Sequence, residues 1–193
     1  MDVRPGPLSR AAGNVEEYGV GSKVELRLSD GLDKLNLGEA ETIIMAGMGG
    51  PLMKDIIVRH LDIARSVSEL ILQPQSEIPG FRRFLSTNGF TAVAEDMVYE
   101  DGKFYPMMKV VPDPDADYFD FSHLDDPFSA EELYGPRLLA SGHRVLYMYL
   151  NEEYRELCEI RAKLLKNVDG SEKSRERLRE IEERIDINRS IGG

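Results

Sequence analysis

A glycine-rich run lies at the end of one predicted strand. In the segment AGMGG, residues 46–50, three glycines follow a β-branched run and precede a helical pattern that begins at Pro51. Open α/β sheets bind their ligands at such a strand-to-helix turn, and glycines let the backbone approach a flat or charged ligand closely. The dinucleotide fingerprint G-x-G-x-x-G would need glycine at Leu52, so the run indicates either another kind of ligand loop or an ordinary turn.

Two aspartates stand where a nucleotide-binding sheet places carboxylates. Asp30, in the turn Ser29-Asp30-Gly31, follows the predicted strand Val24–Leu28, and its carboxylate can accept a hydrogen bond from the exocyclic amine of an adenine. Asp2 precedes the first predicted helix, where such sheets place the acid that binds ribose hydroxyls. The structural alternatives are a simple Asp-Gly turn for Asp30 and a terminus without fixed structure for Asp2.

Polar and aromatic side chains follow two further strands. Gln73 and Gln75 end one strand with amides that can read base edges, and Lys103, Phe104 and Tyr105 project a cation and two rings from a predicted hairpin. Solvation of a loop and packing of the core are the structural alternatives. Because all these groups lie at the loop ends of one predicted sheet, the pattern predicts a single binding surface.

The elements that would position these residues alternate between strands and helices in the first part of the chain. This order is typical of βαβ units and a largely parallel sheet, and the terminal antiparallel hairpin, with Asp101-Gly102 at its turn, is the topology of the second half of a class I methyltransferase sheet. Many doubly wound folds share that topology. The predicted strands are Val24–Leu28, Glu41–Met45, Leu70–Gln73, Thr91–Tyr99 and Phe104–Val111, and the clearest helices are Pro7–Tyr18, Pro51–Ala64 and Ile78–Asn88.

The sequence divides into three parts. Residues 1–112 form the α/β domain, residues 113–132 carry 8 acidic and no basic residues and predict an irregular acidic linker, and residues 133–193 form a helical extension. In the extension, apolar residues recur at spacings of three and four. The break at Asn167–Ser171 makes an antiparallel helical hairpin the simplest interpretation, because the heptads are too few for an extended coiled coil.

Composition limits the function classes. One cysteine, Cys158, excludes an internal disulfide and, with His60, His123 and His143 at unrelated spacings, indicates no metal site. The chain has no apolar run long enough to span a membrane, so we expect a cytoplasmic protein. The net charge of -11 gives no support to nucleic-acid binding, which would require a local basic surface. The segment Asp125-Asp126-Pro127-Phe128 lies past the last strand and is interpreted as linker rather than as an amino-methylation motif.

Three segments together resemble the TrmK-like family of tRNA (adenine-22-N1)-methyltransferases: AGMGG after one strand, LILQPQSEI across the next, and EDMVYEDGKFYP across the hairpin. The resemblance covers nearly the whole chain. It implies a Rossmann-like class I methyltransferase domain with a C-terminal coiled-coil-like extension, S-adenosyl-L-methionine as cofactor and bacterial tRNA as substrate. We expect the protein to act as a monomer.

The resemblance also assigns roles to the residues described above. The glycine loop would form the wall that faces the adenine, with Tyr105 or Phe104 as a stacking surface. The catalytic group is therefore Gly47, Met48, Gly49, Gly50 and Tyr105; the cofactor group is Asp2, Asp30, Gly31, Ala46 and Gly47; the substrate group is Gln73, Gln75, Lys103 and Phe104.

One part of the family pattern has no counterpart in this sequence. The family's first strand and its Asp-x-Gly loop, which surrounds the methionine part of the cofactor, are not found, and Met1 falls where the second strand should be ending. We therefore expect an incomplete sheet and impaired cofactor binding by this chain alone. The alternatives are a non-catalytic remnant that retains an RNA-binding surface, and an interaction module whose tail pairs with another protein.

Overall fold

Four strands form one mixed sheet. The structure, a computed structural model, describes residues 1–113, 126–166 and 171–192. The strand order is β1-β2-β4-β3, with β1 and β2 parallel and the other two pairings antiparallel. The strands are β1 (Thr42–Met48), β2 (Glu69–Pro74), β3 (Phe90–Glu100) and β4 (Lys103–Pro112).

Helices cover one face of the sheet and form the tail. The predicted helix Pro51–Ala64 is wrong as a single element, because the chain leaves helical geometry at His60 (φ -132°, ψ 45°) and begins a second short helix. The helices are α1 (Pro5–Glu17), α2 (Gly50–Arg59), α3 (Leu61–Ser66), α4 (Ile78–Thr87), α5 (Ala130–Tyr134), α6 (Pro136–Ser141), α7 (Arg144–Lys166) and α8 (Glu172–Gly192).

The main core lies between the sheet and the helices α2, α3 and α4. Alternate residues of β2, Leu70 and Leu72, are fully buried against apolar side chains such as Ile57 and Phe81, and each such side chain stabilises the fold by roughly 1.5–3 kcal/mol. The other face of β1 is open among the described residues, and Ile44 there is 68% exposed.

The predicted strand Val24–Leu28 is wrong. A strand needs a neighbour along its length, and among the described residues only Asp2 pairs with this segment, in a single parallel bridge to Leu28. No described strand lies between the segment and β1, so its side chains have little to pack against and Leu28 stays exposed. The four other predicted strands are confirmed, with ends that differ by one to three residues.

The tail is a helical pair, as predicted. Leu157 of α7 is buried against Ile181 and Ile185 of α8. Nearer the sheet, Glu153 of α7 accepts hydrogen bonds from Arg184 Nη2 (2.6 Å) and Asn188 Nδ2 (2.9 Å) of α8. It also accepts one from Tyr134 Oη of α5 (2.7 Å), so three elements meet at one carboxylate.

The predicted boundaries at residues 112 and 132 stay a prediction. Helix α5 begins at Ala130, where Ser129 and Glu132 form a reciprocal capping box. Residues 114–125 of the predicted linker, including His123 and Asp125, lie outside the described part of the chain. The same is true of residues 167–170 of the predicted break between the tail helices.

A buried ion pair connects this helical part to the sheet. Arg82 of α4 donates through Nε to Glu95 Oε1 of β3 at 3.0 Å, and through Nη1 to the carbonyl of Leu133 at 3.1 Å. The second oxygen of Glu95 accepts from the backbone N–H of Arg137 at 2.9 Å. The side chains are 7% and 0% exposed, and burial lowers the pKa of Arg82 although Glu95 opposes that shift.

Candidate functional site

The glycine loop is joined to the turn that follows β2. The N–H of Gln75 donates to the carbonyl of Met48 at 2.9 Å, and the N–H of Gly50 donates to the carbonyl of Ser76 at 3.0 Å. The side chain of Gln73 adds a third bond, since its Oε1 accepts from the N–H of Gly47 at 2.9 Å. The two loops therefore form one continuous wall at the carboxyl ends of β1 and β2.

The glycines are required by this close approach. A Cβ on Gly50 would lie 2.7 Å from the carbonyl oxygen of Ser76, which is a contact with rigid backbone. Gly47 has φ +76°, a conformation that favours glycine. Glu77, with φ 51°, completes the opposing turn just before α4. The glycines of AGMGG therefore have a steric reason, since larger residues would not fit the approach to Ser76 or favour the positive φ of Gly47.

The amide of Gln73 is fixed in orientation by its bond to Gly47. Its Nε2 is buried and has no hydrogen-bond acceptor among the residues that the structure describes. A buried donor without a partner costs about 1–3 kcal/mol, and such donors are unusual outside sites with a functional reason. Gln75, by contrast, is exposed, and its side chain bonds no described residue.

Asp2 and Asp30 lie at neighbouring chain segments. The N–H of Ser29 donates to the carbonyl of Asp2 at 2.9 Å, which places Asp30 one residue beyond this bridge. The Ser29 hydroxyl accepts from the N–H of Lys34 and donates to the carbonyl of Gly31, both at 3.1 Å, so the turn is rigid. Both carboxylates keep exposed surface, and an adenosine group requires such acceptors for its hydroxyls and amine.

The predicted hairpin residues divide between two environments. The ring of Phe104 packs against Tyr99 (4.7 Å between centroids) and against Tyr149 of α7 (5.3 Å). Lys103 is exposed, and Tyr105 is half-buried on the other face of β4. Their predicted contacts with substrate stay a prediction, although the structural alternative of packing accounts for Phe104.

A cavity next to the glycine-loop wall was not predicted from the sequence. Its volume is about 240 Å³, and its lining includes Glu77, Pro106, Phe104, Tyr149 and Arg82. Burial raises the pKa of Tyr149 to about 12, and the carboxylate of Glu153 acts in the same direction. Residues from β3, β4, α4, α5, α7 and α8 line this cavity, so no local sequence pattern could have indicated it.

Over residues 1–113, 126–166 and 171–192, no three His, Cys, Asp or Glu side chains are grouped so that they could hold a metal ion. Within the same ranges, no helix is long and apolar enough to cross a membrane.

Fold and site together define a class of protein. A sheet with parallel strands and a terminal antiparallel hairpin, carrying a glycine loop at its carboxyl edge, matches the second half of a Rossmann-like class I methyltransferase sheet, as predicted. The chain belongs to the tRNA (adenine(22)-N(1))-methyltransferase family, TrmK, whose family model matches residues 1–190. The family named from the sequence segments is thereby confirmed.

Known relatives agree with this family. The tRNA (adenine(22)-N(1))-methyltransferase of Bacillus subtilis (strain 168) is 29% identical over 191 residues, which are 98% of this chain and 78% of that protein. The solved structure of the B. subtilis M1A22 tRNA methyltransferase TrmK has a TM-score of 0.81 at 27% identity, covering 99% of this chain and 80% of that one. A Streptococcus pneumoniae protein in complex with S-adenosyl-L-methionine has a TM-score of 0.78 at 26% identity, covering 100% and 79%.

Proposed function

We propose that this chain transfers the methyl group of S-adenosyl-L-methionine to N1 of an adenine in bacterial tRNA. The observation that carries the proposal is the wall formed by the glycine loop and the Gln73–Glu77 turn, in a chain of the TrmK family. The wall is polar, rigid and at the edge of the sheet where α/β proteins bind ligands. The substrate is tRNA, and we propose that the protein acts as a monomer in the bacterial cytoplasm.

The cofactor supplies an electrophilic methyl group on a sulfonium sulfur. Asp2 and Asp30 would hold its adenosine part, and Gly31 and Ala46 would line the cofactor site beside them. This chain's residues fit that half of the cofactor, because the two carboxylates belong to paired segments. The Oδ1 of Asp2 accepts from the N–H of Arg4 and the Oδ1 of Asp30 pairs with Arg59, which leaves the second oxygen of each carboxylate to accept from a ligand. The described residues offer no corresponding loop for the methionine part.

The chain's contribution to the reaction is mainly positional. N1 of adenine already carries a lone pair, so the new N–C bond forms without a general base as the S–C bond breaks. Holding the two reacting centres in line supplies several kcal/mol by avoiding orientational entropy. The Gly47–Gly50 loop would form the wall that faces the ring, and a backbone carbonyl or a carboxylate at this edge of the sheet would stabilise the positive charge that develops on it.

The adenine must leave any base pair before N1 can react, because N1 lies on its pairing edge. Tyr105 would stack on the exposed base, while Gln73, Gln75, Lys103 and Phe104 line the approach of the RNA. The direct test is incubation of unmodified tRNA with the protein and labelled S-adenosyl-L-methionine, followed by nucleoside mass spectrometry. Methyl transfer to another base, or to another atom of adenine, contradicts the proposal.

A second candidate is a protein that binds RNA but not the methyl donor. It is favoured because the described residues offer no loop for the methionine part of the cofactor. Calorimetry with S-adenosyl-L-methionine separates the two candidates. Tight binding by this chain excludes the second candidate.

Gln73 provides a sharper test of the wall. Gln73→Ala removes the bond to Gly47 and is expected to lower kcat/KM by about tenfold to a hundredfold, because small displacements in a positioning site have effects of that size. Gln75→Ala removes an amide that bonds no described residue, so it is expected to leave the melting temperature unchanged. Because Gln75 is proposed to line the approach of the RNA, the same substitution is expected to lower kcat/KM. Equal melting temperatures and equal kcat/KM for Gln73→Ala and the parent would contradict the role of Gln73.

A further inference from the structure

The cavity beside the glycine-loop wall has aromatic walls and a small volume. Phe104, Tyr134 and Tyr149 line it, and the rings of Phe104 and Tyr149 meet edge to face with 5.3 Å between their centroids. Its volume of about 240 Å³ is below the roughly 300–1,000 Å³ of sites that enclose a drug-sized ligand. The cavity therefore suits one flat ring system rather than a whole nucleotide or the cofactor.

Two arginines also line this cavity, and each has an N–H group without an acceptor. The Nη2 of Arg82 and the Nε of Arg184 are buried and bond no residue of the described part of the chain. A buried donor without a partner destabilises a fold, and such donors are unusual outside sites with a functional reason. An occupant of the cavity that carries hydrogen-bond acceptors would supply the partner that both groups lack.

The charges around the cavity favour a neutral occupant over an anion. Arg82 forms an ion pair with Glu95, and Arg184 forms one with Glu153, so each cation is already neutralised. Glu77, which is exposed, adds a further carboxylate to the lining. A phosphate would therefore meet no net positive charge, whereas a neutral group with acceptors for the arginines and donors for Glu77 would match both.

Guanine is the base that offers this combination. Its O6 and N7 are adjacent acceptors, and arginine is their commonest specific partner in nucleic-acid recognition. Its N1–H and N2–H groups are adjacent donors, which the two oxygens of one carboxylate can accept together. Adenine instead places an amine next to N7 and would oppose this donor to the arginine donors. The aromatic walls would stack on the flat faces of the ring.

We propose that the cavity binds an unpaired guanine of the RNA, beside the target adenine. Glu77 belongs both to the cavity and to the turn that meets the glycine loop, where the carbonyl of Ser76 accepts from the N–H of Gly50. A base that leaves the RNA stack next to the target adenine would thus enter the cavity. The identity of the RNA rests on the proposed function, whereas the preference for a guanine ring does not.

The test measures binding of the 5′-monophosphates of guanosine, inosine and adenosine (GMP, IMP and AMP) to the full chain by NMR titration. GMP is expected to bind roughly tenfold more tightly than AMP and than IMP, which lacks the N2 amine. Glu77→Gln leaves one oxygen to accept from the two N–H groups, so it is expected to reduce the preference for GMP over IMP to less than about twofold. Glu100→Gln changes an exposed carboxylate of β3 that does not line the cavity, and this matched control is expected to keep both preferences.

Unmodified tRNA at saturating concentration is expected to displace GMP from the cavity. GMP that stays bound beside tRNA would assign the cavity to a free nucleotide and overturn the proposal. Absence of GMP binding, equal affinities for GMP and AMP, or equal effects of Glu77→Gln and Glu100→Gln would also overturn it. The proposed function is judged separately, by the methylated nucleoside. A preference for GMP without 1-methyladenosine refutes the function alone, whereas 1-methyladenosine without that preference refutes the guanine site alone.

Discussion

Glu95→Ala is expected to lower the free energy of unfolding by about 3–5 kcal/mol, because it leaves the cation of Arg82 buried without its partner. The pair is almost completely excluded from water, and the same carboxylate also accepts the N–H of Arg137. The substitution therefore removes one ion pair and one backbone hydrogen bond together. Denaturant-induced unfolding followed by circular dichroism measures the loss.

Two variants control this measurement. Glu100→Ala removes an exposed carboxylate from the same strand and is expected to change stability by less than about 0.5 kcal/mol. Arg82→Met/Glu95→Leu replaces both charges by apolar groups and is expected to recover much of the loss, since no buried charge remains. A loss below about 1 kcal/mol for Glu95→Ala would show that water reaches Arg82.

Gly50→Ala is expected to reduce kcat/KM for tRNA methylation by about a hundredfold, as positioning sites respond strongly to displacements near 1 Å. The added Cβ would meet the backbone carbonyl of Ser76 at 2.7 Å, so the glycine loop and the opposing turn must separate. Overpacking of this kind also costs about 1–3 kcal/mol of stability. Steady-state methylation and thermal unfolding measure the two effects.

Gly80→Ala is the matched control for this substitution. Gly80 lies in α4, and an added Cβ would come no closer than 3.9 Å to a neighbouring atom, at the Phe128 ring. It is expected to stabilise the helix by up to about 1 kcal/mol and to leave kcat/KM at the parent value. Parent-like kcat/KM for Gly50→Ala would refute the idea that the two loops act as one wall.

Local patterns predicted the parts of this fold that depend on neighbouring residues. Short runs with apolar, strand-forming residues, as in β2, and the Asp101-Gly102 turn identified their strands because each signal lies within a few adjacent residues. The segment Val24–Leu28 has the same pattern, yet its pairing depends on a partner distant in sequence, and only Asp2 lies beside it. Strand formation there could not be judged from the segment itself.

The candidate site also combines features that have a local sequence signal with features that have none. The AGMGG loop was recognisable because three glycines at a strand end are uncommon without a steric cause. Its contact with Ser76 joins residues 26 positions apart, so neither that contact nor the positive φ of Glu77 has a local signal. The pairing of Arg82 with Glu95 was missed for a similar reason, since single charged residues in a helix and a strand look like surface residues until both are placed.

The three-way junction at Glu153 limits how the length of α7 can change during evolution. Inserting one residue after Glu153 would rotate the rest of the helix by about 100°. Leu157 would then leave its contact with α8, and the part of α7 after Glu153 would turn a different face to solvent. Insertions or deletions of seven residues rotate it by only about 20°, so relatives whose α7 differs in length should differ by whole heptads.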